Sequence, residues 1–183
     1  KKVGDVAHIK GKVMEVMDLF ESLYEEHMKN VYAYFSICVG KQEAEDLTQQ
    51  TFMNIYNYLS RNKFFIAESW KAWVFTIASN VKNDYLRKHA GTKTAELDEG
   101  FLDEASDDEG KLLSLAVRNA LNALPDADKE IILLKYMGIS SDEAANIAGI
   151  TSSAARSRLS AAKKRFLFAL KEEGLYLPEG KNE

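Results

Sequence analysis

The 183-residue sequence contains one cysteine, two prolines, ten glycines and three histidines. A single cysteine, Cys38, excludes a disulfide within the chain and favours a reducing compartment. The histidines stand far apart, and no spacing typical of a metal site, a nucleophile or a phosphate-binding loop occurs. We therefore expect a protein that is not an enzyme and that needs no metal and no cofactor.

Long apolar runs are also missing. No stretch could span a bilayer, and no signal peptide precedes the first helical pattern, so we expect a cytoplasmic protein with no direct membrane insertion. Because proline and glycine are scarce while alanine, leucine, glutamate and lysine dominate long stretches, helices are favoured throughout. With 46% hydrophobic residues the chain can bury a core. The sequence predicts an all-α fold.

The net charge of −4 is unevenly distributed. Residues 91–110 hold eight acidic residues and one basic residue, a local charge of −7, which leaves +3 for the remainder. Such a stretch is typical of a flexible linker. We therefore divide the chain into five parts. They are an N-terminal extension (1–17), a first helical domain (18–90), an acidic flexible linker (91–110), a second helical domain (111–174) and a C-terminal tail (175–183).

The first domain ends in a helical pattern rich in aromatic residues. One apolar stripe comprises Trp70, Trp73, Val74, Ile77, Val81 and Tyr85, while the other faces carry Asn80, Asn83, Arg87 and Lys88. The loop before it contains Lys63, Phe64 and Phe65. Aromatic rings, amides and cations suit single-stranded nucleic acid, whose bases stack and whose phosphates attract cations. The same pattern is also typical of an ordinary core face with basic residues complementing a helix dipole.

The second domain contains a short helix, a glycine turn and a long basic helix. A capping-box pattern at Ser140–Glu143 opens the short helix, Gly149 follows it, and Thr151 or Ser152 begins the long one. The long helix lacks acidic residues between Thr151 and Leu170 and carries Ser152, Ser153, Arg156, Arg158, Lys163, Lys164 and Arg165. This arrangement is typical of a helix-turn-helix DNA-binding motif.

Two segments resemble one protein family. The sequences AEDLTQQTF (44–52) and WKAWVFTIASN (70–80) are similar to domain 2 of bacterial RNA polymerase sigma factors of the extracytoplasmic-function (ECF) subfamily. The stretch from LNALP (121–125) through Gly149 and Ile150 to Ser157-Arg158-Leu159 resembles domain 4 of that family. The resemblance implies an alternative sigma factor that binds core polymerase and directs promoter recognition, DNA melting and transcription initiation.

The resemblance also implies roles for individual residues. The largest-subunit clamp helices of core RNA polymerase would be bound by Glu45, Asp46, Leu47, Gln50, Phe52 and Ile55. The −10 promoter element would be contacted by Lys63, Phe64, Phe65, Trp73, Asn80, Asn83, Arg87 and Lys88, with a flipped base received by loop 63–69. The −35 element would be contacted by Ser152, Ser153, Arg156, Arg158, Lys163, Lys164 and Arg165. An anti-sigma factor that can hold the chain at the membrane is a further implied partner.

Two other functions fit parts of the sequence. A two-module helix-turn-helix transcription regulator that does not replace a sigma subunit would account for the second domain but would leave the segment 44–52 without a role. A helical adaptor that binds only proteins would leave the basic last helix unexplained.

Overall fold

The computed structural model describes residues 3–62, 66–89 and 108–175, and the side chains of 16–62, 66–89 and 113–175. Within these residues every regular element is an α-helix, which confirms the predicted class. The helices are α1 (Val3–Cys38), α2 (Lys41–Arg61), α3 (Trp70–Lys88), α4 (Asp108–Asn122), α5 (Asp126–Tyr136), α6 (Ser141–Ala148) and α7 (Ser152–Glu172). Helices α1–α3 form a first module, and α4–α7 form a second.

The first module is a three-helix bundle. Gly40, at φ 101°, turns the chain sharply between α1 and α2, a conformation that suits glycine because it has no Cβ. Ser69 caps α3 by accepting a hydrogen bond from the Ala72 N–H at 3.2 Å. The buried core includes Val31, Tyr34, Phe35, Ile55, Val74 and Phe75. The predicted third helix is confirmed, whereas α1 begins at Val3, so residues 3–17 continue the first helix instead of preceding it.

The buried faces are rotated relative to the predicted apolar stripes. In α3 the buried residues are Val74, Phe75, Ala78, Ser79, Val81 and Lys82, while Trp70, Trp73, Ile77 and Tyr85 are only half-buried. Because the second module packs on the same helix, the face of α3 that carries Ser79 and Lys82 is covered as well. The apolar period alone could not have indicated this second contact.

The second module has the predicted helix-turn-helix order. Ser140 Oγ accepts from the Glu143 N–H at 3.2 Å, and the Glu143 carboxylate accepts from the Ser140 N–H at 2.8 Å, which completes the capping box. Gly149 ends α6 at φ 64°, and Thr151 caps α7. Pro125, not Asp126, occupies the N-cap position of α5. Helix α4 begins at Asp108, so it includes the last three residues assigned to the linker, whose remainder lies outside the described residues.

The two modules pack directly against each other. Helix α6 contacts α3, α5 contacts α1, and the buried apolar residues of both modules form one continuous cluster. The sequence had left the relative arrangement of the modules open. In this arrangement one side of α3 faces the second module, while Asn80 and Asn83 remain exposed.

Candidate nucleic-acid interface

The outer side of α3 is polar and cationic. Asn80, Asn83, Arg87 and Lys88 are all exposed, and the Arg87 guanidinium donates to Asp84 Oδ1 at 2.8 Å in a surface ion pair. Such exposed pairs contribute little to stability, so Arg87 can exchange Asp84 for a phosphate at small cost. Lys63, Phe64 and Phe65 lie outside the described residues. The structure thus brings together four of the eight residues predicted for the −10 element on one open surface.

Trp73 lies beside this surface within an aromatic group. Its ring centroid is 5.4 Å from that of Tyr58 and 5.6 Å from that of Trp70, and the indole is half-buried. Trp73 is therefore neither wholly core nor freely exposed. Tyr58, in the last turn of α2, is 39% exposed and adds a ring to this edge of the bundle. Edge aromatics of this kind can stack on an unpaired base.

Helix α7 presents a second polar face. Ala155 and Ala162 are buried against the module, while Ser153, Arg156, Lys163 and Lys164 are exposed and Ser152 and Arg158 are half-buried. Small side chains at the helix N-terminus allow close approach to base edges, and the N-terminal dipole attracts phosphate. The predicted −35 residues other than Arg165 therefore lie on a surface suited to major-groove DNA.

Two arginines of α7 bind acidic side chains of the same module. Arg156 Nη1 lies 3.2 Å from Asp142 Oδ1, and both side chains are exposed. Arg165 donates to Asp128, whose side chain is only 8% exposed. Because a buried carboxylate needs a charged partner, Arg165 holds α5 against α7. The Arg165 side chain is nevertheless 58% exposed, so its role as a −35 contact stays a prediction.

The polymerase-binding residues predicted in α2 divide between its two sides. Glu45, Asp46 and Gln50 are exposed and Leu47 is half-buried. Phe52 and Ile55, by contrast, are 3% and 0% exposed, because they lie on the side of α2 that faces the core. A side chain with no exposed surface cannot contact a partner, so Ile55 is corrected to a core residue, whereas Phe52 still lines the surface between α1 and α2.

A groove of about 710 Å³ runs between α1 and α2. Its walls are mainly aromatic and methionine side chains, with polar groups along the α2 rim, and they comprise Phe20, Tyr24, Met28, Tyr32, Phe52, Met53 and Tyr56 together with Glu45, Thr48, Gln49 and Asn57. Tyr24, Met53 and Tyr56 are among the exposed large apolar residues. Sequence reasoning did not identify this groove. The aromatic residues at Phe20, Tyr24, Phe52 and Tyr56 were the available signal.

Buried titratable groups in the first module show no features of a reactive site. Burial raises the pKa of the Cys38 thiol to about 12, which leaves it protonated and unreactive at neutral pH. Burial lowers the pKa of His27. Among the described residues no group of three potential metal ligands occurs, and no described helix combines the length and apolarity needed to cross a membrane.

Comparisons with known proteins match both modules. The family descriptions "Sigma-70 region 2" and "Sigma-70, region 4" match residues 23–92 and 114–166. The chain is 32% identical to RNA polymerase sigma factor CarQ of Myxococcus xanthus, over 77% of this chain and 83% of CarQ. It is 30% identical to ECF RNA polymerase sigma factor SigM of Bacillus subtilis, over 85% of this chain and 96% of SigM.

The fold is also similar to a solved structure, that of the sigma factor RpoE in complex with the anti-sigma factor NepR from Bartonella quintana. The TM-score is 0.67 at 26% identity, over 83% of this chain and 96% of that one. The similarity extends across both modules, so it concerns the whole two-module architecture.

Proposed function

Because this chain belongs to the extracytoplasmic-function sigma factors, we propose that its exposed surfaces divide between one polymerase contact and two promoter contacts. The chain is an alternative sigma factor that directs promoter recognition. One observation carries the division of surfaces. The exposed amide and cationic residues form two separate faces, one on α3 and one on α7, so each module has its own DNA-facing side.

The polymerase contact is the α1–α2 groove together with the acidic side of α2 beside it. Exposed Tyr24, Met53 and Tyr56 supply apolar contact area, and Glu45, Asp46 and Gln50 supply acidic and amide groups. This combination suits a helical partner that carries apolar and basic side chains. The polymerase clamp helices would need to present such side chains to this groove. Phe20 and Phe52 meet edge-to-face in the wall of the groove, at 6.4 Å between ring centroids, and support its shape.

The −10 contact is the outer face of α3, with Trp73 at its edge. Asn80 and Asn83 can hydrogen-bond to base edges, and Arg87 and Lys88 can follow the phosphate backbone. Loop 63–69, with Lys63, Phe64 and Phe65, would receive an unpaired base. Stacking a base on a protein ring offsets about 1–3 kcal/mol of the cost of melting.

The −35 contact is the exposed face of α7 near its N-terminus. Ser153, Arg156 and Arg158 lie where a recognition helix contacts base edges, with Ser152 at the helix start, and Lys163 and Lys164 extend the basic surface towards the backbone. Asp142 holds Arg156 at the edge of this surface until DNA replaces it.

We also propose a cytoplasmic location and an anti-sigma partner. The similar RpoE of Bartonella quintana was solved in complex with the anti-sigma factor NepR, and the shared two-module fold suits the same kind of partner here. Membrane attachment would then come from that partner. Initiation by such a factor needs no catalytic group of its own, in keeping with a non-enzymatic role.

Transcription from genomic fragments with sigma-free polymerase tests this proposal. The wild-type chain should confer a defined start site, and Arg156→Ala with Arg158→Ala should reduce −35-dependent initiation by about 10-fold or more. Asp46→Ala should weaken capture of polymerase. Glu172 is an exposed acidic residue on the second module, so Glu172→Ala serves as a control and should not weaken capture. If DNA binding occurs with no polymerase capture, the regulator that does not replace a sigma subunit becomes the better description.

A further inference from the structure

The second module places one carboxylate in the boundary between the modules. Glu130 of α5 accepts hydrogen bonds at Oε1 from the Tyr34 hydroxyl at 2.7 Å and from the Ser79 hydroxyl at 2.8 Å. Its Oε2 lies 2.6 Å from Lys82 Nζ. All three partners belong to the first module, and Tyr34, Ser79 and Lys82 are 0%, 1% and 5% exposed.

These three donors are arranged as a binding site for an anion. Two hydroxyls and one ammonium converge on a single carboxylate, and the Lys82 ammonium lies 5.7 Å from the centroid of the Tyr34 ring. A buried ammonium is costly without an opposite charge beside it. Burial opposes ionisation of Glu130, but the Lys82 charge and the three hydrogen bonds outweigh it and lower the pKa of the carboxyl. The site therefore binds Glu130 in its charged form.

A second contact joins the modules at the start of α3. The Ser69 hydroxyl, which caps α3, lies close enough to the Glu143 carboxylate of the α6 capping box to help lower the pKa of that carboxyl. Lys71 Nζ comes within 3.6 Å of the point where a Cβ on Gly138 would lie. The helix-turn-helix module thus abuts the end of the loop proposed to receive the flipped base.

This packed arrangement cannot contact both promoter elements at once. The −10 and −35 elements lie roughly 25 base pairs apart, or about 85 Å at about 3.4 Å per base pair. Modules of about 70 residues have radii of gyration of about 11 Å, so two modules in contact have centres only roughly 30 Å apart. The modules must separate before the chain can bind both elements.

We propose that Tyr34, Ser79 and Lys82 form a carboxylate-binding site on the first module, and that Glu130 fills this site in a closed form of the free protein. Simultaneous binding to the −10 and −35 elements then requires Glu130 to leave the site. The promoter consequence rests on the proposed function, whereas the closed form itself does not. When the charge of Glu130 is removed, the Lys82 ammonium has no opposite charge beside it in the closed form. In the open form water solvates Lys82, so the substitution destabilises only the closed form. The closed-to-open ratio should therefore fall by on the order of a hundredfold in Glu130→Gln.

Small-angle X-ray scattering of the full chain tests the closed form without polymerase. The wild type should have a radius of gyration near about 16 Å, as expected for a compact chain of this length, and Glu130→Gln should exceed about 20 Å. Glu172→Gln, an exposed carboxylate on α7, should match the wild type. Equal radii for the wild type and Glu130→Gln would overturn the proposal.

A charge exchange separates the site from a general loss of folding. Lys82→Glu should open the chain, and Lys82→Glu combined with Glu130→Lys should restore a radius close to that of the wild type. If Glu130→Gln also loses helicity in circular dichroism, the comparison of Lys82→Glu with the double variant tests the site instead. A double variant as expanded as the single Lys82→Glu variant would contradict the assigned site.

Promoter binding by the reconstituted polymerase tests the consequence. Glu130→Gln should bind a two-element promoter fragment about 10-fold more tightly than the wild type, and a fragment with the −10 element alone with unchanged affinity. Equal affinity for the two-element fragment would contradict the requirement for opening. Failure of the proposed function would look different, because the wild type and every variant would then give no defined start site while the scattering difference persisted.

Discussion

Two arginines of α7 have different partners, and this difference assigns them different roles. Arg156 pairs with an exposed aspartate, and such a pair contributes roughly 0–1 kcal/mol, so DNA can replace Asp142. Arg165 pairs with a buried aspartate that has to keep a charged neighbour. Both arginines belong to the same basic run in the sequence, but Arg156 can leave its partner for a phosphate or a base at a smaller cost than Arg165 can.

We expect Arg165→Ala to lower the free energy of unfolding by about 1–3 kcal/mol, because it leaves the Asp128 carboxylate buried without its partner. Lys164→Ala, one residue away and exposed, should change that free energy by less than about 0.5 kcal/mol while weakening binding to −35 DNA. Urea denaturation and a DNA titration at two salt concentrations measure the two effects. If the Arg165→Ala variant is as stable as the wild type but binds DNA more weakly, Arg165 acts as a DNA contact.

At the scale of the helix, α2 has one face in the core and another directed to solvent. Thr48, Thr51, Phe52, Ile55 and Leu59 are buried, while Glu45, Asp46 and Gln50 are exposed. The segment 44–52 therefore contains two kinds of residue with separate tasks. The buried ones maintain the bundle and the shape of the α1–α2 groove, and the exposed ones are available to the polymerase.

We expect Phe52→Ala to destabilise the protein by about 3–5 kcal/mol, because it leaves a cavity below Phe20 and Tyr24, whose rings contact Phe52. Asp46→Ala should leave the melting temperature nearly unchanged and should still weaken polymerase capture. Thermal unfolding followed by circular dichroism, paired with a polymerase pull-down, compares the two variants. Full polymerase affinity for a folded Asp46→Ala variant would exclude the acidic side of α2 from the contact.

At the scale of the whole molecule, a buried ion pair and two hydroxyls join the modules. The pKa of Glu130 is lowered in the packed arrangement, so the stabilisation it provides is complete above the usual glutamate pKa of about 4.3 and is lost as pH falls through the lowered value. The stabilisation that comes from Glu130 is therefore complete at neutral pH and declines in acid.

We expect the radius of gyration of the wild type to rise as the pH falls from 7 to below about 4, since a protonated Glu130 no longer neutralises Lys82. Glu130→Gln should begin with a larger radius at pH 7 and should show little further change over that range. Scattering at a series of pH values, with helicity recorded in parallel, provides the measurement. An identical acid expansion in the variant would place the responsible group elsewhere.

Local signals in the sequence determined the elements of this protein. The capping box of α6, the glycine turn and the cap of α7 all follow from residues within about four positions of each other, and all were predicted. The polar faces of α3 and α7 that we propose as DNA contacts could also be located, because amides and cations cluster on helix faces that carry no apolar stripe. The match to one family came from the order and spacing of the same segments.

Only the tertiary structure decided which residues of those helices are covered. Phe52 and Ile55 turn inward because α1 packs on that side of α2, and Arg165 is bound because α5 brings Asp128 beside it. Glu130 contacts Ser79 and Tyr34 across 51 and 96 positions of the chain. The period of a helix specifies which residues share a face, but the rotation of that helix and the module that covers it depend on packing between distant segments.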